Sequence, residues 1–203
     1  MCHAFYCSAS FYQQLLELDQ HLADQVRKKG CPCGGILHSA RYPRKPRGVP
    51  RQVLGKGYEH RFSFCCAKDG CRRRCTPPSL RFLGRKVYLG AIIVLLSALE
   101  HGLTTSRRQR LIETLDLWPQ TFYRLRDWWR SRFSNTPCWR SLESQFLPPI
   151  STCALPGGLL GRLNGVDLLH RLIHLLALLQ PVNSVSCSRY LPINGAALLS
   201  IRT

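Results

Sequence analysis

The sequence Cys31-Pro-Cys33-Gly-Gly is followed, after strand-like sequence, by a second cysteine pair in Cys66-Ala-Lys-Asp-Gly-Cys71. Two such pairs in glycine-bearing turns are typical of a zinc ribbon. Four thiolates must converge tetrahedrally at about 2.3 Å from Zn²⁺, and each tight turn supplies two of them together with backbone N–H groups that face sulfur. The spacing therefore predicts a structural zinc site formed by Cys31, Cys33, Cys66 and Cys71.

The same spacing leaves other interpretations open. The first pair is one residue shorter than the usual CxxC turn, the second is CxxxxC, and Cys65 could replace its neighbour Cys66 as a ligand. The thiols could also be free, or joined in disulfides. A thioredoxin-type redox role is disfavoured because no βαβ pattern surrounds either pair. Catalytic zinc is disfavoured because four thiolates leave no open coordination position.

Charge is concentrated around these cysteines. The 203 residues carry a net charge of +18, and residues 31–86 alone hold 14 Lys and Arg against two acidic residues, a net charge of +12. This segment is rich in Gly and Pro and poor in apolar runs, so we expect loops and short strands that the metal holds together. A polyanion explains the position and sign of the charge, and a solvated loop is the alternative. The candidate phosphate contacts are Arg44, Lys45, Arg47, Arg72, Arg73 and Arg74.

The sequence on either side of the ribbon predicts helices. Apolar residues at spacings of three and four indicate an amphipathic helix over 10–29, with Ser10 as a possible N-cap and Gly30 as C-cap. Further helices are expected over 87–100, 105–115, 119–133 and about 163–180, followed by an irregular tail. The expected fold is mostly α with a small zinc-ribbon β element. Its units are the amino-terminal helix (1–30), the basic ribbon (31–86), a three-helix unit (87–135), and a carboxyl-terminal helix and tail (136–203).

Residues 105–133 have the proportions of a helix-turn-helix. On the second helix, Phe122 and Leu125 fall on the side that would pack, together with two aromatic residues one and two turns further on. In such modules the first residues of the second helix reach base edges in the major groove. This predicts DNA contacts from Gln120, Thr121 and Arg124, whereas a plain three-helix packing unit without a DNA role is the alternative.

The two cysteine turns, the sequence RFSFCC over 61–66 and the sequence CRRRCTPPS over 71–79 resemble the amino-terminal module of bacterial insertion-sequence transposases. That module combines a zinc ribbon with a helix-turn-helix, and the resemblance covers about residues 28–133. It implies binding of DNA ends, with the same four cysteines as metal ligands. Cys75 stands where the pattern often has an aromatic residue, so the resemblance gives it no ligand role.

The catalytic half of a transposase is not recognisable. Phosphoryl transfer by two metal ions needs several acidic residues on one sheet, and after residue 133 the chain offers only Glu143 and Asp167. We therefore expect a non-enzymatic, transposase-related protein that binds double-stranded DNA. A zinc-stabilised protein-interaction or RNA-binding adaptor is the alternative. The first ten residues lack the pattern of a secretory signal and no apolar run approaches a membrane span, so a bacterial cytoplasmic location, on the nucleoid when DNA is bound, is expected.

Overall fold

A long helix, α1 (Ala9–Lys29), begins the part of the chain that the computed structural model describes, which comprises residues 8–84, 86–99 and 104–183. The prediction of this helix and of its Gly30 C-cap is confirmed, and Gly30 has a φ of +71°. The predicted N-cap was wrong. Ser8 caps the helix, because its extended backbone lets its hydroxyl accept the N–H of Phe11, whereas Ser10 already lies in the first turn.

Two small antiparallel sheets follow α1. Leu37–Ser39 (β1), Phe64–Cys66 (β4) and Arg74–Cys75 (β5) form a sheet in the order β1-β4-β5. Tyr42–Pro43 (β2) pairs with His60–Arg61 (β3), and the short helix α2 (Arg51–Leu54) lies between them in the sequence. The register places Leu37 opposite Cys66, so the first cysteine turn lies beside the strand that carries the second pair.

Helices make up most of the remaining chain, which confirms a mostly α fold with a small β element. The helix α5 (Gln120–Asp127) continues as a π-helical segment, Trp128–Phe133. A 3₁₀ turn, Thr152–Ala154, precedes α7 (Gly157–Arg162). The elements are α3 (Gly90–Leu99), α4 (Thr105–Thr114), α5 (Gln120–Asp127), α6 (Pro137–Glu143), α7 (Gly157–Arg162), α8 (Leu168–Leu178) and α9 (Gln180–Asn183).

The apolar side chains form two cores that share α1. The larger core surrounds α3, whose residues 91–94 are completely buried, and it includes α1 as far as Leu22 together with α5, α7 and α8. The smaller core lies beside the cysteine turns, where Ala23 and Val26 of α1 pack with Leu37 and Phe64. Helix α1 therefore connects the cysteine turns to the helical body.

Two predicted helices have different bounds. The helix expected from residue 87 begins at Gly90, because residues 87–89 run extended and pair with Arg47 and Phe82. The helix expected over 163–180 begins only at Leu168 and ends at Leu178, because Asp167 has an extended backbone and its carboxylate caps α8 by accepting the N–H of His170. The tail expected after residue 180 lies mostly outside the described residues. In residues 8–84, 86–99 and 104–183, no helix is both long and apolar enough to cross a membrane.

Candidate metal centre and basic groove

The four predicted cysteines form one cluster. The sulfur atoms of Cys31, Cys33, Cys66 and Cys71 all lie within 4.8 Å of one another. The Sγ atoms of Cys31 and Cys71 are 3.8 Å apart, and those of Cys33 and Cys66 are 3.5 Å apart. A tetrahedron with metal–sulfur bonds of about 2.3 Å has edges of about 3.8 Å, so the four thiols match the coordination shell of a tetrahedral ion.

Backbone turns hold the four sulfur atoms in place. Gly34 donates its N–H to the carbonyl of Cys31 at 2.8 Å, which closes the first turn, and the N–H of Lys68 points at the Cys66 sulfur at 3.4 Å. Gly35 lies directly against the cluster, because a Cβ at that position would stand 2.5 Å from the Cys66 Sγ. The cluster therefore leaves no room for a side chain at the second glycine of the CPCGG sequence.

The thiols differ in acidity. The N–H of Gly35 and the neighbouring thiols lower the pKa of Cys33 to about 6. The N–H of Lys68 lowers the pKa of Cys66, but burial and the other thiols outweigh it and raise that pKa to about 12. The exposed Cys33 is thus the first of these two thiols to become a thiolate, the form that binds metal.

The choice of Cys66 over Cys65 follows from the strand. Successive side chains of β4 point to opposite faces of the sheet, so Cys66 faces the cluster while the Cys65 thiol lies 3.5 Å from the carbonyl oxygen of Arg72. Cys75 is buried in the small core and is not one of the clustered sulfurs. The geometry thus selects one member of the adjacent pair.

A second feature is a basic groove of about 490 Å³, lined by Arg47, Lys86, Trp118, Gln120 and Arg124 together with Val87, Tyr88, Thr121 and Leu125. The loop that bears Arg47 is fixed to the helical body, because its backbone bonds to Val87 and Leu89 and Gly48 packs on Ile92 with a φ of +92°. No lining residue is acidic. The groove thus combines cations from the predicted ribbon and the predicted recognition helix.

Lys86, which lines this groove, has no acidic partner among the described residues. The ammonium of Lys86 is half-buried and lies 4.7 Å from the centre of the Trp128 ring. Burial, and then the charge of Arg132, lower the pKa of Lys86. Among the described residues, neither Arg47, Lys86 nor Arg124 has a side-chain ion pair, so the groove has an uncompensated positive charge.

Sequence reasoning did not select Lys86 or Trp118 as site residues. In the sequence, Lys86 is only the last basic residue of the segment 31–86, and Trp118 lies in the turn between the two helices of the predicted helix-turn-helix. The usable signal was Trp118 itself: a large apolar side chain in a turn between two amphipathic helices has no predicted packing face. It is 66% exposed.

Two predicted contact residues are less exposed than expected. Thr121 was expected on the exposed side of α5, but it is only 7% exposed and its hydroxyl lies 3.4 Å from that of Tyr88. Arg44 is half-buried, and its guanidinium donates to the carbonyls of Gly84 and Lys86 and lies over the Phe82 ring. Thr121 lines the groove, and Arg44 bonds to the backbone of Lys86, which also lines it.

The other predicted basic residues are exposed. Lys45 lies on the surface beside the groove loop, and the arginines that follow Cys71 are on the surface of the cysteine turns, where Arg72 pairs with Asp69 at 2.8 Å. Nearby, Arg81 is different, because it is completely buried against Asp19. Arg72, Arg73 and Arg74 are all exposed and form a second basic surface, separate from the lining of the groove.

In comparisons with protein-family models, with curated proteins and with solved structures, the chain has no match. The resemblance to the transposase module is therefore carried only by the residues quoted for it.

Proposed function

We propose that this chain is a non-enzymatic, zinc-stabilised DNA-binding protein. The observation that carries the proposal is the basic groove: Arg47, from the loop before the second cysteine pair, and Arg124, from α5, line one groove with Lys86 and no acidic residue. Aligned cations without carboxylate partners attract a polyanion, since a bound phosphate offsets their mutual repulsion. Gln120 lies at the start of α5 and supplies an amide that can both donate to and accept from a base edge.

Zinc is the metal that the donor set favours. Four thiolates in a closed tetrahedral arrangement suit Zn²⁺ and leave no position for a substrate. Its role is structural, because the ion would join the turn after α1 to the turn after β4. The basic residues Arg72, Arg73 and Arg74 follow the last ligand, so the metal would also fix their position for phosphate contacts.

The resemblance to the transposase module supports an accessory role in transposition, as a protein that binds DNA ends without cleaving them. Such a protein would act in the bacterial cytoplasm, on the nucleoid. The proposal assigns sequence preference to Gln120 and Arg124, and sequence-independent affinity to the arginines of the cysteine turns.

An electrophoretic shift assay over a range of salt concentrations tests DNA binding. The wild-type protein should bind duplex DNA with an affinity that falls steeply with salt, because each neutralised phosphate adds about 0.9 to the slope of log K against log salt. The double variant Arg47→Gln/Arg124→Gln should flatten this slope. Arg140→Gln, an exposed arginine on α6 that does not line the groove, is the matched control and should leave the slope unchanged.

Two results would contradict the proposal. Either no duplex binding at physiological salt, or an affinity that does not change with salt, would exclude the groove as a phosphate site. A clear preference for single-stranded RNA over duplex DNA would instead favour the RNA-binding adaptor. Metal analysis of the purified protein, with Cys71→Ser for comparison, tests the zinc assignment separately from DNA binding.

A further inference from the structure

We propose that Trp118 is a stacking platform for an unpaired DNA base at the mouth of the basic groove. This inference rests on the proposed DNA-binding function and specifies the form of DNA that the groove accepts: a duplex with a single-stranded or frayed end. The juxtaposition that supports it is an exposed indole beside three cations that have no acidic partner.

Trp118 differs from the other tryptophans of the chain. Trp129 and Trp139 are completely buried, and together with Trp128 they make ring contacts in one aromatic cluster around Phe133. Trp118 is 66% exposed. Among the described residues, no aromatic ring and no cation covers its indole.

The indole is displayed by a well-anchored turn. Leu115 and Leu117, on either side of Asp116, are 3% and 5% exposed and belong to the main core. The N–H of Leu117 donates to the carbonyl of Ile112 at 2.9 Å, and the N–H of Thr121 donates to the carbonyl of Trp118 at 2.8 Å. The backbone that carries the indole is therefore ordered before any ligand arrives, which lowers the entropy cost of stacking.

The groove offers partners for the remaining parts of a nucleotide. Arg47, Lys86 and Arg124 would contact phosphates, and Gln120 would contact the edge of the stacked base. The volume of about 490 Å³ falls in the range of small-ligand pockets and is large enough for a nucleotide. An exposed aromatic ring beside a cationic groove is the arrangement by which proteins bind single-stranded nucleic acid.

The indole distinguishes an unpaired base from a paired one. Both faces of a base inside a duplex are already stacked on neighbouring base pairs, so they cannot contact Trp118 without disrupting the helix. Binding to phosphates requires only the cations of the groove and does not account for the exposed indole. An unpaired base in a single-stranded extension can turn a free face to Trp118, and stacking on it removes the exposed indole from water.

The experiment compares two DNA probes that differ only in a single-stranded end: a blunt duplex, and the same duplex extended by a short oligo-dT strand. Binding of each is measured by fluorescence anisotropy at physiological salt for the wild-type protein and for Trp118→Ala, Trp118→Phe and Tyr123→Ala. Tyr123 is the matched control, since it is an exposed aromatic residue of α5 that does not line the groove.

The wild-type protein should bind the extended duplex about 10-fold more tightly than the blunt one, as expected for stacking of one base. Trp118→Ala should abolish this preference, so that its affinities for the extended and the blunt duplex become equal. Trp118→Phe should retain most of the preference, and Tyr123→Ala should retain all of it. Because Trp118 is on the surface, the variants should keep the wild-type metal content and helical circular dichroism.

Equal binding of the two probes by the wild-type protein, or an equal loss of preference in Trp118→Ala and Tyr123→Ala, would overturn the inference. In both cases salt-dependent binding of the blunt duplex would still support the proposed function. Absence of binding to both probes would refute the proposed function itself, and the inference with it.

Discussion

The carboxylate of Asp19, in the middle of α1, accepts a hydrogen bond from the Arg81 guanidinium at 2.7 Å, and both side chains are excluded from solvent. The same carboxylate accepts the hydroxyl of Ser79 and the N–H of Leu80. The guanidinium, in turn, lies over the rings of Tyr58 and Phe62. This buried pair joins α1 to the chain that leaves the cysteine turns.

Replacing Asp19 should therefore destabilise the whole fold. Asp19→Asn leaves the buried Arg81 charge without its counter-ion, which typically costs about 3 kcal/mol or more in the free energy of unfolding. Urea denaturation measures this loss. Asp24→Asn is the control, because Asp24 is exposed on the same helix and its removal should cost less than about 0.5 kcal/mol. Equal stability of the two variants would show that the pair contributes nothing.

Gly35→Ala should impair metal binding without a general loss of structure. The added methyl group would stand 2.5 Å from the Cys66 Sγ and 3.0 Å from the Lys68 Cβ, so a ligand must move. We expect a loss of zinc affinity of about 10-fold or more, measured by competition with a chromophoric chelator. Gly161→Ala introduces the same methyl group where no heavy atom lies within 4 Å and should have no effect. Unchanged affinity in Gly35→Ala would contradict this account of the turn.

The adjacent cysteines should respond differently to serine substitution. Cys66→Ser removes a clustered sulfur, so it should abolish stoichiometric metal binding, whereas Cys65→Ser should bind one ion as wild type does. Cobalt substitution reports this directly, since thiolate-to-cobalt charge-transfer absorbance scales with the number of sulfur ligands. The assignment of ligands would be wrong if Cys65→Ser, and not Cys66→Ser, lost the absorbance.

Metal affinity should fall as the pH falls, and more steeply below about pH 6. Binding displaces the protons of Cys31 and Cys66, whose pKa values are raised, at any neutral pH. Cys33, whose pKa is lowered to about 6, is already a thiolate above that pH and must lose a proton on binding only below it. A plot of log affinity against pH should therefore gain about one unit of slope below pH 6. An affinity that does not vary between pH 5.5 and 8 would argue against thiolate ligation.

Substitutions of Arg44 and Arg47 should have different effects, one on the free energy of unfolding and the other on DNA binding. Arg44→Gln removes hydrogen bonds to Gly84 and Lys86 and should lower the unfolding free energy by about 1.5 kcal/mol, with little change in the salt slope of DNA binding. Arg47→Gln should leave the unfolding free energy nearly unchanged, because Arg47 is exposed on the groove. It should lower the salt slope of DNA binding by about 0.9. The same effect of both variants on the slope would mean that Arg44 also reaches DNA.

The cluster of four cysteines and the main helices could be predicted from the sequence because their signals are local. A cysteine turn needs only a few consecutive residues, and the apolar spacing of α1 reports its buried face within the helix itself. The position of Phe122 and Leu125 on the packed side of α5 followed from the same periodicity, and both are buried.

What could not be predicted depends on contacts between distant parts of the chain. From the sequence, Arg81 could not be distinguished from the surface cations, because its partner Asp19 lies 62 residues away in the chain. Thr121 was expected to be exposed, because its contact with Tyr88 depends on the tertiary fold. The start of α8 depends on whether Asp167 caps a helix or lies within one, a choice that apolar periodicity does not decide. The groove likewise exists only because the Arg47 loop pairs with residues 87–89.

Helix α1 contributes its first half to one core and its last turns to the other, so neither core can lose its order without exposing apolar surface of the other. The consequence is cooperativity. Heating or denaturant should unfold the cysteine turns and the helical body in a single transition. The midpoint of that transition should rise with free zinc, even when unfolding is monitored by the fluorescence of the tryptophans around Phe133.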